Sequence, residues 1–119
     1  SMLFALNVEP LPVWVAGRET FVHDMILLAG GRNAGADGGI NYYPLSAEAL
    51  LRRDPDILLV ALPEDQLTPL YEHPVLRRLR AVQSRQVYSV DPNLFVRPTP
   101  RLLQGLEWLK SVIERKSRG

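Results

Sequence analysis

Short runs of apolar and β-branched residues recur along the chain and predict its strands. Residues 3–8, 13–16 and 86–90 have this composition, and each run is bounded by glycine, proline or polar residues. The run at 56–61 is almost wholly apolar, which is typical of a parallel strand covered on both faces. Residues 40–44 predict one further short extended segment.

Apolar positions at helical spacing predict helices between these strands. Phe21, Met25 and Leu28 recur at i, i+4 and i+7 and indicate a largely buried helix over residues 19–29. Ser46 is the expected N-cap of a helix over residues 47–53.

Prolines divide or open the remaining helical segments. Pro69 and Pro74 interrupt residues 64–80, which predicts two short helical pieces there. Thr99 as N-cap and Pro100 at the first helical position open the last helix. The core stripe of that helix is expected to consist of Leu102, Leu106, Leu109 and Ile113.

The order of these elements indicates the fold class. Strands and helices alternate at spacings too long for hairpins, which predicts an α/β fold: a single Rossmann-like unit with a small, mainly parallel sheet flanked by helices. Residues 3–115 are expected to form one domain, residues 1–2 are interpreted as a cloning remnant, and residues 116–119 form a polar tail.

Composition and charge exclude several classes of function. The 119 residues are 46% hydrophobic and 23% charged, with a net charge of +1, which gives no basis for a nucleic-acid partner. The absence of cysteine excludes a disulfide scaffold, a thiolate metal site and a cysteine nucleophile. Neither observation decides the cellular compartment.

No set of residues predicts catalysis or metal binding. The glycine-rich stretch at 30–39 follows a helix and lacks both the G-x-G-x-x-G and the P-loop pattern. His23 and His73 are isolated along the chain and are interpreted as surface histidines. No nucleophile elbow is present, so the sequence predicts a protein that is not an enzyme and has no metal site.

Two adjacent tyrosines stand apart from these helical stripes. Tyr42 and Tyr43 lie between the glycine-rich stretch and Pro44. They either form an exposed aromatic platform for a flat ligand or anchor at least one ring in the core, and the sequence leaves both interpretations open.

The succession of short motifs resembles a known family. Six motifs occur in order: Gly17-x-x-Thr20-Phe21, Ala29-Gly30-Gly31-x-Asn33, Tyr43-Pro44-Leu45-Ser46-x-Glu48, Asp54-Pro55-Asp56-Ile57, Val87-Tyr88-x-Val90-Asp91 and Arg97-Pro98-x-Pro100-Arg101. From about residue 3 to residue 113 the chain resembles the C-terminal lobe of substrate-binding proteins of ABC importers in the cobalamin and ferric-siderophore (also haem) class. Such proteins have two α/β lobes joined by a long helix, with the ligand held between the lobes.

The resemblance implies roles for particular residues. The glycine-rich stretch, Tyr42, Tyr43 and the segment 93–97 would border the ligand cleft. Tyr42 matches a ligand-stacking aromatic, while Phe95 and Arg97 match a loop that approaches the ligand. Asn93 stands where some members carry an acidic ligand contact, and Glu48 matches the glutamate that docks the lobe onto the membrane permease.

The resemblance also implies a function and partners. The chain would be a non-catalytic lobe that helps to capture cobalamin or a similar corrin, or alternatively a ferric siderophore or haem, and delivers it to an ABC permease. It would act with an N-terminal lobe, in the periplasm or another extracytoplasmic space, in a protein with or without a lipid anchor. Without that lobe, exposed apolar surface would favour self-association. A Rossmann-like small enzyme and a free-standing regulatory binding domain remain as alternatives.

Overall fold

The computed structural model describes residues 1–95 and 100–118. Its elements follow the predicted order, with one short helix added between the last strand and the last helix. The strands are β1 (Met2–Ala5), β2 (Val13–Ala16), β3 (Tyr42–Leu45), β4 (Ile57–Val60) and β5 (Val87–Ser89). The helices are α1 (Phe21–Leu28), α2 (Ala47–Arg53), α3 (Thr68–Glu72), α4 (Arg80–Gln83), α5 (Pro92–Phe95) and α6 (Leu102–Arg118).

The five strands form one sheet in the order β3-β2-β1-β4-β5. β1 pairs in parallel with β4, and β4 pairs in parallel with β5. β2 is antiparallel to both β1 and β3. The predicted α/β fold is confirmed, but the sheet is mixed rather than mainly parallel, because residues 6–12 return the chain directly alongside β1.

Helices cover both faces of the sheet. One face packs against α2, α3 and α4 through a core that includes Leu50, Leu70 and Val82. The other face packs against α1, α5 and α6 through a second core that includes Met25 and Leu109. Alternation along each strand assigns successive side chains to these two cores.

Local sequence explains where the helices begin. The hydroxyl oxygen of Thr20 accepts a hydrogen bond from the His23 amide, which caps α1. Ser46 caps α2 in the same way through the Ala49 amide, as predicted. Residues 64–79 form two 3-10 turns with α3 between them rather than two helical pieces. Pro69 lies in the first turn of α3, where proline is tolerated, and Pro74 follows the end of that helix.

The glycine-rich stretch lies at the edge of the sheet where β1 begins. The Met2 amide donates to the Arg32 carbonyl oxygen at 2.8 Å, and the Ala34 amide donates to the Met2 carbonyl oxygen at 2.7 Å. The buried Asn33 amide nitrogen donates to the Ala16 carbonyl oxygen at 3.2 Å. These bonds fix the stretch at the amino-terminal end of β1, opposite the end from which a parallel strand usually presents ligand-binding loops.

His23 belongs to the same network. The side-chain nitrogen of Asn33 lies 2.9 Å from His23 Nδ1, which is therefore the acceptor. The interpretation of His23 as a surface residue is wrong to this extent: its ring is partly buried and joins α1 to the glycine-rich stretch.

No helix in the described part of the chain has the length and apolarity needed to cross a bilayer.

Candidate functional site

The carboxyl edge of the sheet is the candidate site. We use this name for the edge where β1, β4 and β5 end at Ala5, Val60 and Ser89, together with the loops that follow them. In α/β sheets, ligands bind in the crevice outside the carboxyl ends of the strands. β2 begins and β3 ends at the same edge, because Val13 pairs with Leu45.

One asparagine organises the loop after β1. The side-chain nitrogen of Asn7 donates to the carbonyl oxygens of Pro10 and Pro12, both at 3.1 Å. Its side-chain oxygen accepts from the Trp14 amide at 2.8 Å. This single side chain closes the loop, and Leu11 within it is 41% exposed.

Trp14 is a further candidate site residue, which the sequence pattern alone did not single out. Val13 and Val15 are buried in the first core, so alternation turns Trp14 toward the opposite face of the sheet, where it is 43% exposed. An exposed tryptophan at this edge offers a large, rigid surface to a flat ligand. The signal was present in the sequence as an aromatic residue at the alternate position of a predicted strand.

Tyr42 and Tyr43 lie in β3 on opposite faces of the sheet, so they do not form one platform. The Tyr43 hydroxyl donates to the Gly35 carbonyl oxygen at 2.7 Å, and the Arg53 guanidinium lies 6.0 Å from its ring centroid. Tyr42 packs edge-on against Phe4 with ring centroids 6.4 Å apart. Both rings are half-buried, each against a different core.

The two phenols have different polar surroundings. Burial raises the pKa of Tyr42. Burial also raises the pKa of Tyr43, and the positive charge of Arg53 partly opposes this increase. The Tyr42 hydroxyl oxygen is buried and has no hydrogen-bond partner in the described structure. A buried hydroxyl without a partner costs free energy that a phenylalanine at the same position would not.

Phenylalanine substitutions distinguish these two environments. We expect Tyr42→Phe to raise the free energy of unfolding by about 1 kcal/mol, because it removes an unsatisfied hydroxyl. Tyr43→Phe is the matched control and should lower the same quantity by about 1 kcal/mol, because the bond to Gly35 is lost. Urea denaturation followed by circular dichroism measures both changes. Equal destabilisation by the two substitutions would show that the Tyr42 hydroxyl has a partner.

The predicted residues of the segment 93–97 have separate environments. Phe95 is 1% exposed and packs between Phe4 and Trp108, at centroid distances of 6.3 and 5.9 Å. The Asn93 amide donates to the Asp91 carboxylate at 2.9 Å, and the Asn93 side chain is exposed. Arg97 lies outside the described residues. The Phe4 ring contacts both Tyr42 and Phe95. The ligand roles predicted for Tyr42, Tyr43, Asn93, Phe95 and Arg97 stay predictions.

Glu48 lies in the first turn of α2, close to the carboxyl edge. Its side chain is exposed, two residues after the Ser46 cap. An acid in the first turn is favoured by the helix dipole, so its presence has a structural explanation as well as the predicted docking role. That docking role also stays a prediction.

A surface cavity of about 690 Å³ lies beside the loop that follows β1. We call it the β1–α3 cavity, because this loop forms one side and the segment ending in α3 forms the other. Its lining residues are Asn7, Val8, Glu9, Leu62, Asp65, Gln66, Thr68, Pro69, Glu72 and His73. Within residues 1–95 and 100–118, no three histidine, cysteine or acidic side chains are grouped so that they could hold a metal ion.

Residues 3–94 match the family model described as periplasmic binding protein. An uncharacterised ABC transporter substrate-binding lipoprotein of Bacillus subtilis, YvrC, is 29% identical over 91% of this chain and 34% of its own length. A cobalamin-binding protein of Halobacterium salinarum is 30% identical over 76% of this chain and 27% of its own length.

Solved structures give the same result for the fold. The apo structure of the periplasmic heme-binding protein RhuT from Roseiflexus sp. RS-1 superposes with a TM-score of 0.82 at 32% identity. The match covers 97% of this chain and 46% of that chain. The chain thus spans about a third or less of the two curated relatives, and less than half of the solved structure.

Proposed function

The chain belongs to the periplasmic binding protein family, and from this premise we propose that it forms the C-terminal lobe of the solute-binding component of an ABC import system. One observation carries the proposal: the carboxyl edge exposes Leu11, on a loop that Asn7 holds in place, and Trp14, near the start of β2. An apolar surface of this kind, presented by a rigid loop, suits a ligand held against a second lobe.

The ligand that we propose is cobalamin or a similar corrin. The cobalamin-binding relative from Halobacterium supports this choice. A ferric siderophore or haem is the second candidate, and the likeness to the heme-binding protein from Roseiflexus favours haem within that group. The exposed indole of Trp14 can stack on either macrocycle.

The partners follow from the same proposal. The permease subunit of the transporter would receive the lobe through Glu48, which is exposed and close to the carboxyl edge. The N-terminal lobe would cover Leu11 and Trp14, and the isolated lobe would tend to self-associate through them. The protein would work in the periplasm or another extracytoplasmic space, with a lipid anchor as in the Bacillus relative named a lipoprotein.

A split cleft should bind its ligand weakly. Small-molecule sites bury most of the ligand surface, and one lobe supplies only one side of the site. We expect this chain alone to bind cobalamin at least about a hundredfold more weakly than the same lobe joined to its N-terminal lobe, a difference of about 3 kcal/mol. Isothermal titration of both proteins with cobalamin measures the ratio.

A second prediction concerns the joined protein with the substitution Trp14→Ala. The proposal predicts that removing the indole weakens binding by about tenfold, without changing the thermal midpoint by more than a few degrees, because the side chain is half-exposed. Equal affinity of the single lobe and the joined protein would contradict a cleft shared by two lobes.

A further inference from the structure

The β1–α3 cavity contains a histidine whose ring proton is fixed by backbone contacts. His73 Nδ1 accepts hydrogen bonds from the Val75 amide at 3.1 Å and the Leu76 amide at 3.3 Å. A nitrogen that accepts two amide protons carries none itself, so in the neutral ring the proton is on Nε2. His73, which is among the residues that line the cavity, therefore carries its ring N–H donor on Nε2.

The same tautomer argues against a metal bond from this residue. An axial bond to cobalt or iron needs the Nε2 lone pair, which is available only if the proton moves to Nδ1. That move would break both bonds to the Val75 and Leu76 amides, which begin the 3-10 turn after α3. His73 is thus suited to a polar group at the rim of a ligand rather than to its metal.

Carboxyl groups predominate among the ionisable side chains that line the cavity. Glu9, Asp65 and Glu72 contribute three carboxyl groups, and neither lysine nor arginine is among the lining residues. Glu9 lies on the loop after β1, whereas Asp65 and Glu72 lie on the opposite side of the cavity. An acceptor-rich cavity without a cation favours N–H donors and repels carboxylates.

We infer that the β1–α3 cavity is a subsite for the carboxamide rim of the ligand and that it selects against carboxylate rims. Primary carboxamides along the rim supply N–H donors to Glu9, Asp65 and Glu72, and a carboxamide oxygen accepts from His73 Nε2. This inference rests on the proposed function, because it assumes that the carboxyl edge faces the ligand. The residues that would select between carboxamide and carboxylate rims then lie on the face of the sheet opposite to Phe95.

Two corrins that differ only at the rim provide the test. Dicyanocobinamide carries carboxamides, dicyanocobyrinic acid carries carboxylates, and cyanide occupies both axial positions of each. We expect this chain to bind dicyanocobinamide at least about tenfold more tightly, with amide chemical-shift changes at residues 7–9 and 65–73. The triple substitution Glu9→Gln, Asp65→Asn and Glu72→Gln should reduce that ratio by about tenfold.

A charge-matched control separates the cavity from the overall charge of the protein. The substitutions Glu19→Gln, Glu107→Gln and Glu114→Gln remove the same number of acidic groups from exposed positions outside the cavity. They should leave the ratio of the two affinities within about twofold, because charges beyond a Debye length are screened.

The possible outcomes separate the subsite from the proposed function. Binding of both corrins with equal affinity, or shifts confined to Tyr42 and Asn93, would overturn the subsite and leave the proposed function standing. A ratio reduced equally by both triple substitutions would also overturn it, because overall charge would then explain the selectivity. Binding of neither corrin at millimolar concentration would count against the subsite and the proposed function together.

Discussion

Replacing Phe4 by alanine is expected to lower the free energy of unfolding by about 4 kcal/mol. Phe4 is fully buried in β1, where its ring contacts Tyr42 at 6.4 Å and Phe95 at 6.3 Å between centroids. The substitution removes apolar contact area and leaves a cavity that rigid strands on both sides cannot fill. Urea denaturation measures this loss of free energy, with the denaturant dependence (m) of the variant equal to that of the original protein.

Phe21 provides the matched control for this prediction. It is the half-buried first residue of α1, at the margin of the same core. We expect Phe21→Ala to cost about half as much as Phe4→Ala, because the vacated volume opens to solvent. Equal losses at the two positions, or a loss below about 2 kcal/mol for Phe4→Ala, would contradict the packing described for the second core.

Replacing Gly17 by alanine should destabilise the protein by about 4 kcal/mol or more, or prevent folding. A Cβ atom at this position would meet the Gly39 carbonyl oxygen and the Asn41 carbonyl oxygen at distances of 2.2 and 2.4 Å. Both obstacles are backbone, and the Gly17 amide itself donates to the Asn41 oxygen at 3.0 Å. The close approach of two chain segments therefore explains why glycine stands in the first motif of the family resemblance.

Gly30 is the control for this substitution. Its φ is +93°, and a Cβ atom there would have no neighbour within 4 Å. Gly30→Ala should cost about 1 kcal/mol from the left-handed backbone alone. The thermal midpoints of both variants, measured by circular dichroism, give the comparison. A Gly17→Ala variant as stable as Gly30→Ala would show that residues 39–41 move away easily.

Local chemistry allowed much of the fold to be predicted. The apolar stripe predicted α1, although Leu28 of that stripe is 68% exposed, and Ser46 followed by apolar residues predicted α2 with the observed bounds. Capping residues and apolar stripes involve residues within one or two turns of the same helix, so they can be recognised in the sequence alone. The mixed sheet could not be predicted in this way, because the pattern of β2 does not state which neighbour it pairs with or in which direction.

The candidate site was predicted less completely than the fold. Strand alternation within residues 42–45 would have separated Tyr42 from Tyr43, but the glycine-rich stretch before them favoured a loop. The position of that stretch at the amino-terminal end of β1 depends on long-range bonds to Met2, which no local pattern contains. The roles of Asn7 and His73 could not be predicted from the sequence, because they depend on hydrogen bonds to backbone groups that only the structure shows.

The most direct test of the central claim is an amide chemical-shift titration of this chain with cobalamin, carried to millimolar concentration. We expect shifts confined to the carboxyl edge: the loop at residues 6–14, the lining of the β1–α3 cavity, and residues near Asn93. The amides of the glycine-rich stretch at residues 30–39 should not move, because they lie at the opposite edge of the sheet. Shifts centred on that stretch, or none at all, would contradict a ligand site at the carboxyl edge.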